Sequence, residues 1–367
     1  MVFHKTHGMN QPLFSMRTLY VSRTPADASV YPTISAALDA IPMDLNEPAC
    51  IYLAPGIYHE KITINKPYLT ILGTGKSNKD VVLTYDDYAL APMADIGKLG
   101  TFRSYSVFIH THDVTLQNLT IENASGDSLT HGQAIALYAD GDRLVIDSCR
   151  LIGHQDTLFT GPLPPKEIEP DGFIGPKQFA PRINGRQYYN CYICGDIDFI
   201  FGSATAYFES CVIESLCRTT NVNCIQGYIT AASTPESQEY GYVFSNCKLI
   251  SKDCPPNSVY LGRPWRNYAK TVFLECSLGN HIHECGFHDW KKEDARNTVL
   301  YAEYRNYPAS SSDTTSNNRS LNDDIHCIDG RCIPYPHRAE YVCELDAVQA
   351  EHFSKENVLS GADYWNP

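Results

Sequence analysis

The sequence predicts an all-β solenoid, a parallel β-helix whose coils differ in length. Two observations carry this. A short phrase (polar, small or polar, Cys or Leu, any, then Leu, Ile or Val) recurs, with its third position at Leu119, Cys149, Cys191, Cys211, Cys247 and Cys276. The gaps between those positions are 30, 42, 20, 36 and 29 residues, the mark of a constant strand phrase joined by loops of variable length. Each coil turns its third position inward, stacked on its counterparts above and below. The ladder cysteines are then core filler, because a free thiol packs as a small hydrophobe. A metal or redox role is disfavoured, since Cys191-x-x-Cys194 stands alone without a second such pair.

The elements follow in order. Residues 1–17 form a tail. Tyr31 to Pro42 reads as a short helix, with Pro32 near its start and Pro42 at its end; it should cap the open end of the solenoid. The coils run from 18 to 306 as one domain. Between Gly161 and Arg182, prolines at 162, 164, 165, 170, 176 and 181 mark an excursion loop, expected over residues 161–182. It leaves after Asp156 and returns before Asp198, so it should overhang both as a lid or cleft wall, with a decorative surface loop as the alternative. Ser310 to Asp324 reads as a polar loop. Glu340 to Ser360 reads as an amphipathic helix, so 307–367 is a loop and helical segment packing on the solenoid.

Composition narrows the function. The chain has 367 residues, 43% of them hydrophobic, enough for a large core. Its 29 basic and 42 acidic residues give a net charge of −13, which argues against nucleic acid or an anionic membrane as partner. No stretch approaches the ~20 apolar residues of a membrane span. Met1 to His7 lacks the apolar run of a secretory leader. With a large core available, the 14 cysteines read as reduced thiols. A cytoplasmic location is expected, with secretion as the alternative.

Asp156 and Asp198 each follow a ladder cysteine by seven residues. If the two phrases are successive coils, the carboxylates stand on neighbouring rungs, about 4.8 Å apart. Like charges ~5 Å apart at an effective dielectric of ~20 repel by about 3 kcal/mol, roughly two pKa units. One aspartate should hold its proton and the other lose it. Taken singly, either could be an ordinary turn or cap residue. His154 has no task in this arrangement. His281-x-His283-x-Cys285 could share a strand face, but no further ligands are evident and no metal is expected. A G-x-S-x-G elbow is absent.

Five segments stand in order: Gly56-Ile57-Tyr58-His59-Glu60, Gln133-Ala134-Ile135-Ala136-Leu137, Gln155-Asp156-Thr157-Leu158, Asp198-Phe199-Ile200-Phe201-Gly202 and Leu261-Gly262-Arg263-Pro264-Trp265. On these the chain resembles the pectin methylesterase (pectinesterase) family, in its bacterial-type form. That resemblance implies a right-handed parallel β-helix that hydrolyses C6 methyl esters of galacturonate units to methanol and free carboxylate. It implies Asp198 as nucleophile, with Arg263 beside it lowering its pKa, and Asp156 as general acid and then base. It also implies Gln133 and Gln155 as donors to the oxyanion, Trp265 as a sugar platform, with core packing or a structural corner as the alternative, and Phe201 as a cleft aromatic, with a buried strand residue as the alternative. Tyr58 and Glu60 read as structural.

The expected partner is methylated pectin or a methylated oligogalacturonide, with no cofactor, and the chain is expected to be a monomer. An acidic cytoplasmic enzyme would meet short methylated oligomers rather than long pectin. The loop at 161–182 and the region after Tyr304 depart from the family pattern. Two alternatives stand: another pectin-active β-helix enzyme (lyase or polygalacturonase), or a non-catalytic carbohydrate-binding β-helix. Joint retention of Gln133, Gln155, Asp156, Asp198 and Arg263 weighs against the second.

Overall fold

A computed structural model describes residues 16–43, 47–94, 97–168, 170–176, 185–309 and 337–367. The chain winds as a right-handed parallel β-helix. One face is a seven-stranded sheet, Ile62–Ile64, Val107–Ile109, Leu137–Ala139, Leu158–Thr160, Ile197–Gly202, Gly227–Ala232 and Val259–Gly262, in which each strand pairs in parallel with the next along the chain. A nineteen-stranded sheet supplies the other faces.

The recurring phrase is a corner. The residue just before the ladder position adopts a left-handed backbone at Asn118, Ser148, Ser210, Asn246 and Glu275, with φ between 53° and 54°. This conformation is uncommon for residues other than glycine. Leu119, Cys149, Cys211, Cys247 and Cys276 follow this bend, Cys191 stands inside the strand Arg186–Gly195 without one, and all six are buried, as the pattern required. The thiols have a second role, because each Sγ donates to a carbonyl of the preceding coil. Cys149 reaches Leu116 O at 3.4 Å, Cys191 reaches Ile146 O at 3.0 Å, and Cys211 reaches Tyr189 O at 3.3 Å. Cys247 and Cys276 reach Phe208 O and Phe244 O at 3.3 and 3.5 Å.

Inside the coils Tyr189, Phe208, Phe244 and Phe273 stack with centroid spacings of 4.7, 4.4 and 4.5 Å. Those spacings are set by the separation of adjacent parallel strands. The aromatic column fills the interior while the backbone ladder sets its pitch.

At the N-terminal end a helix spans Ile34–Asp39, between the two prolines. Thr33 caps it by accepting from Ala36 N at 3.1 Å, and Glu60 accepts from Ile34 N and Ser35 N at 3.0 and 3.1 Å. Tyr58 is buried and donates to Ala54 O at 2.7 Å. Both signature residues thus hold the first coils together.

The C-terminal segment differs from the single helix expected over Glu340 to Ser360. Val342–Glu344 is a strand added in parallel to Leu300–Tyr304, and two short helices follow at Ala347–Glu351 and Lys355–Leu359. The open edge of Leu300–Tyr304 offers a ladder of unpaired backbone groups, and satisfying it outweighs a helical periodicity. The helices bury Ala350, Phe353, Val358 and Leu359 against Tyr207, Val243, Val272 and Ala302. Arg186 pins the end by pairing with Asp142 and Asp363. The polar loop expected at Ser310 to Asp324 lies outside the described residues.

Candidate active site

The pairing register brings the two aspartates together. Leu158 pairs with Ile200 and Phe159 with Phe201, an offset of 42 residues that also pairs Cys149 with Cys191. Carried two residues back, it sets Asp156 against Asp198, and Asp156 N donates to Ile197 O at 3.0 Å. Both aspartates are buried and both have left-handed backbones, φ 66° and 49°. Such conformations persist in non-glycine residues where the surrounding structure over-determines them, often at functional sites. Here the flanking strands, held on both sides, turn the two carboxyl groups out of the ladder.

Arg263 enters from two rungs further on. Its Nε donates to Asp198 Oδ1 at 2.8 Å and one terminal nitrogen donates to Oδ2 at 2.6 Å, a bidentate pair. The guanidinium is held flat between Tyr228, 3.9 Å from the ring centre, and Trp290, 3.7 Å away. Neither aromatic is marked by its sequence neighbourhood. Trp290 and Lys291 both have left-handed backbones, φ 53° and 56°, in the loop that presents Trp290. Lys292 Nζ donates to Pro264 O and Trp265 O at 2.8 and 3.1 Å, bracing the segment that carries Arg263.

Burial is the largest influence on both carboxyls and pushes each above the ordinary carboxylate range. The neighbouring charge of Asp198 pushes Asp156 further, well above that range. Arg263, through charge and hydrogen bonds, and Lys292 pull Asp198 back without cancelling its burial. Arg263 does lower the Asp198 pKa, as expected of a charge-assisted pair, but the burial of the carboxyl raises it by more. The order still follows the split expected, with the proton on Asp156 and the charge on Asp198.

Gln133 and Gln155 are half-buried on the two coils beside Asp156 and Asp198, and Ala134 N donates to Gln155 O at 3.0 Å. The pairs Gln133–Ala134, Gln155–Asp156 and Ile197–Asp198 therefore line up across three successive coils. Phe201 is buried, with its ring 5.7 Å from Trp265 and 4.9 Å from Phe159. Trp265 is half-exposed beside it. Together with Phe102, Phe108, Tyr138 and Phe173 they form an aromatic cluster on this face.

The described part of the proline-rich excursion packs on that cluster. Phe173 lies 5.6 Å from Phe102 and 6.0 Å from Trp265, and Arg266 donates to Lys166 O at 2.9 Å. The loop thus walls the site on one side, as its exit point between the two aspartates suggested.

His154, left without a task by the sequence, faces the buried Asp196 at 3.4 Å, and Asp196 also accepts from Ser128 Oγ at 2.7 Å. Asp196 in turn raises both catalytic-site carboxyls slightly. His281 is buried, and burial lowers its pKa to about 4, while His283 stacks on Tyr260 at 4.2 Å. Among the described residues no three His, Cys, Asp or Glu side chains gather as a metal site would require.

The pectinesterase family model matches residues 21–162 and 182–322. Pectinesterase 31 of Arabidopsis thaliana is 32% identical over 318 residues, covering 84% of this chain and 90% of its own. Probable pectinesterase A of Neosartorya fischeri is 34% identical over 292 residues, covering 77% of each. A crystal structure of a pectin methylesterase in complex with a hexasaccharide superposes with a TM-score of 0.70 at 27% identity, covering 95% of this chain and 98% of that one. The break in the family match, from 163 to 181, falls within the proline-rich excursion that walls the paired aspartates. Coil by coil and motif by motif, the chain belongs to the pectinesterase family.

Proposed function

We propose that the chain removes methyl groups from C6 methyl esters of galacturonate units in pectin or oligogalacturonides, with Asp198 as nucleophile and Asp156 as general acid and base. The observation that carries this reading is the asymmetric carboxyl pair: Asp198 gripped by both donors of Arg263, Asp156 buried beside it without a cation of its own. In the first half-reaction an ionised Asp198 oxygen attacks the ester carbonyl carbon. Charge develops on the carbonyl oxygen, where the amide groups of Gln133 and Gln155 can donate to it. As the carbon–oxygen bond to the methoxy group breaks, Asp156 gives its proton and methanol leaves. An acyl–enzyme anhydride on Asp198 remains. Asp156, now ionised, takes a proton from water, whose oxygen attacks the acyl carbon and frees Asp198 and the new carboxylate.

Trp265 supports a sugar ring in this reading, with Phe201 shaping the cleft beneath it. We read the chain as a monomer, its first coil already covered by the Ile34–Asp39 helix. The test is methanol release from fully methylated oligogalacturonides and from long methylated pectin. The reading expects release from both, with oligomers turned over at least as fast. Absence of methanol from either class overturns it.

A further inference from the structure

We propose that Lys292 is a specificity-determining residue that reads a free carboxylate on a galacturonate unit flanking the ester under attack; this rests on the esterase reading above. Arg263 holds Asp198 by hydrogen bonds, Lys292 acts on it by charge, and Arg266 stands near enough to Lys292 to act on that ammonium. Arg263 is neutralised by its bidentate carboxylate. Arg266 donates to the carbonyls of Trp265 and Lys166, at 3.0 and 2.9 Å. Lys292 gives two of its protons to the carbonyls of Pro264 and Trp265. Among the described residues neither Arg266 nor Lys292 forms an ion pair with a carboxylate.

In a chain of net charge −13 this local excess of cations over the single carboxylate, Asp198, that acts on Lys292 runs against the whole. A neutral methyl ester does not call for it. A de-esterified neighbour on the same oligomer does, and every turnover creates that group. An ammonium has three donors, so the one not given to a carbonyl is left for a ligand. Lys292 lies half-buried with its ammonium 4.7 Å from the Trp290 ring centre, at the edge of the aromatic wall. The two backbone bonds fix the ammonium against that wall, so the carboxylate meets a positioned charge and not a waving surface lysine.

The experiment compares kcat and KM of wild type and Lys292→Met on two hexamers, one fully methylated and one with a single free carboxylate at a defined unit. The efficiency ratio, acid-bearing over fully methylated, is expected to fall about tenfold in the variant, carried by KM, as loss of one hydrogen bond between charged groups would produce. An unchanged ratio overturns the proposal, whether both substrates suffer equally or neither does. If Lys292→Met does not fold, Lys292→Gln gives the same readout, since it keeps a donor for the Pro264 carbonyl but no charge. Methanol release by wild type from the fully methylated hexamer separates failure here from failure of the esterase reading.

Discussion

Arg263 holds both carboxylate oxygens of Asp198, at 2.8 and 2.6 Å, while its own plane is clamped between Tyr228 and Trp290. The fork is therefore fixed before any substrate arrives, and it holds the Asp198 carboxylate in one orientation.

Replacing Arg263 by Lys keeps the charge but discards the planar fork and the aromatic sandwich. The expected result is a fall in kcat of about a hundredfold or more, with KM moving much less. Steady-state kinetics on a methylated oligomer checks it; a variant within a few-fold of wild type would show that charge alone suffices.

Asp156 is buried beside Asp198 at a cost in stability near neutral pH. Its folded-state pKa is raised, so its contribution to stability is fully present below the unfolded value of about 3.9 and is lost as pH rises toward the folded one. Asp156→Asn, which carries no charge at any pH, should therefore melt at a higher temperature than wild type at pH 7. That advantage should vanish below pH ~3.9. The same variant should lose roughly 10²- to 10⁴-fold in turnover. Thermal melts at low and neutral pH, beside rate assays, check both halves.

The interior stack predicts a different signature. Phe244 sits between Phe208 and Phe273 at 4.4 and 4.5 Å and is fully buried. Phe244→Ala should cost on the order of 3–5 kcal/mol of stability. The folded fraction should keep its kcat, because the stack makes no contact with Asp156 or Asp198. Denaturant titration with activity normalised to folded protein checks it.

Thiol chemistry should divide the cysteines by burial. Cys224 and Cys343 are exposed, whereas Cys149, Cys191, Cys211, Cys247 and Cys276 are buried. Burial pushes the Cys149 thiol up to about 12 and holds Cys191 and Cys247 well above the usual thiol value. An aromatic disulfide reagent should label Cys224 and Cys343 in the native protein and reach the five ladder thiols only on unfolding. Rapid labelling of any ladder thiol in the native state would contradict the packing described.

Much of this was legible because the solenoid repeats its corners. The left-handed residue and the buried one after it recur in sequence, so the ladder and the 42-residue offset between Asp156 and Asp198 could be read without a structure. Tyr228 and Trp290 could not. They meet Arg263 only because three coils stack, and a lone Tyr or Trp carries no mark of what it will face. The thiol hydrogen bonds were equally hidden, since nothing in the phrase reveals which carbonyl the bend exposes. At the C-terminus an amphipathic pattern was outweighed by an open strand edge. The burial that outweighs Arg263 and leaves the Asp198 pKa raised is likewise unmarked in the sequence.

The most direct test is methanol release from a fully methylated hexagalacturonate by wild type and by Asp198→Asn, with folding of the variant verified by its melting curve. The account predicts steady release by wild type and none above background from the folded variant. Turnover by Asp198→Asn at the wild-type rate would contradict it.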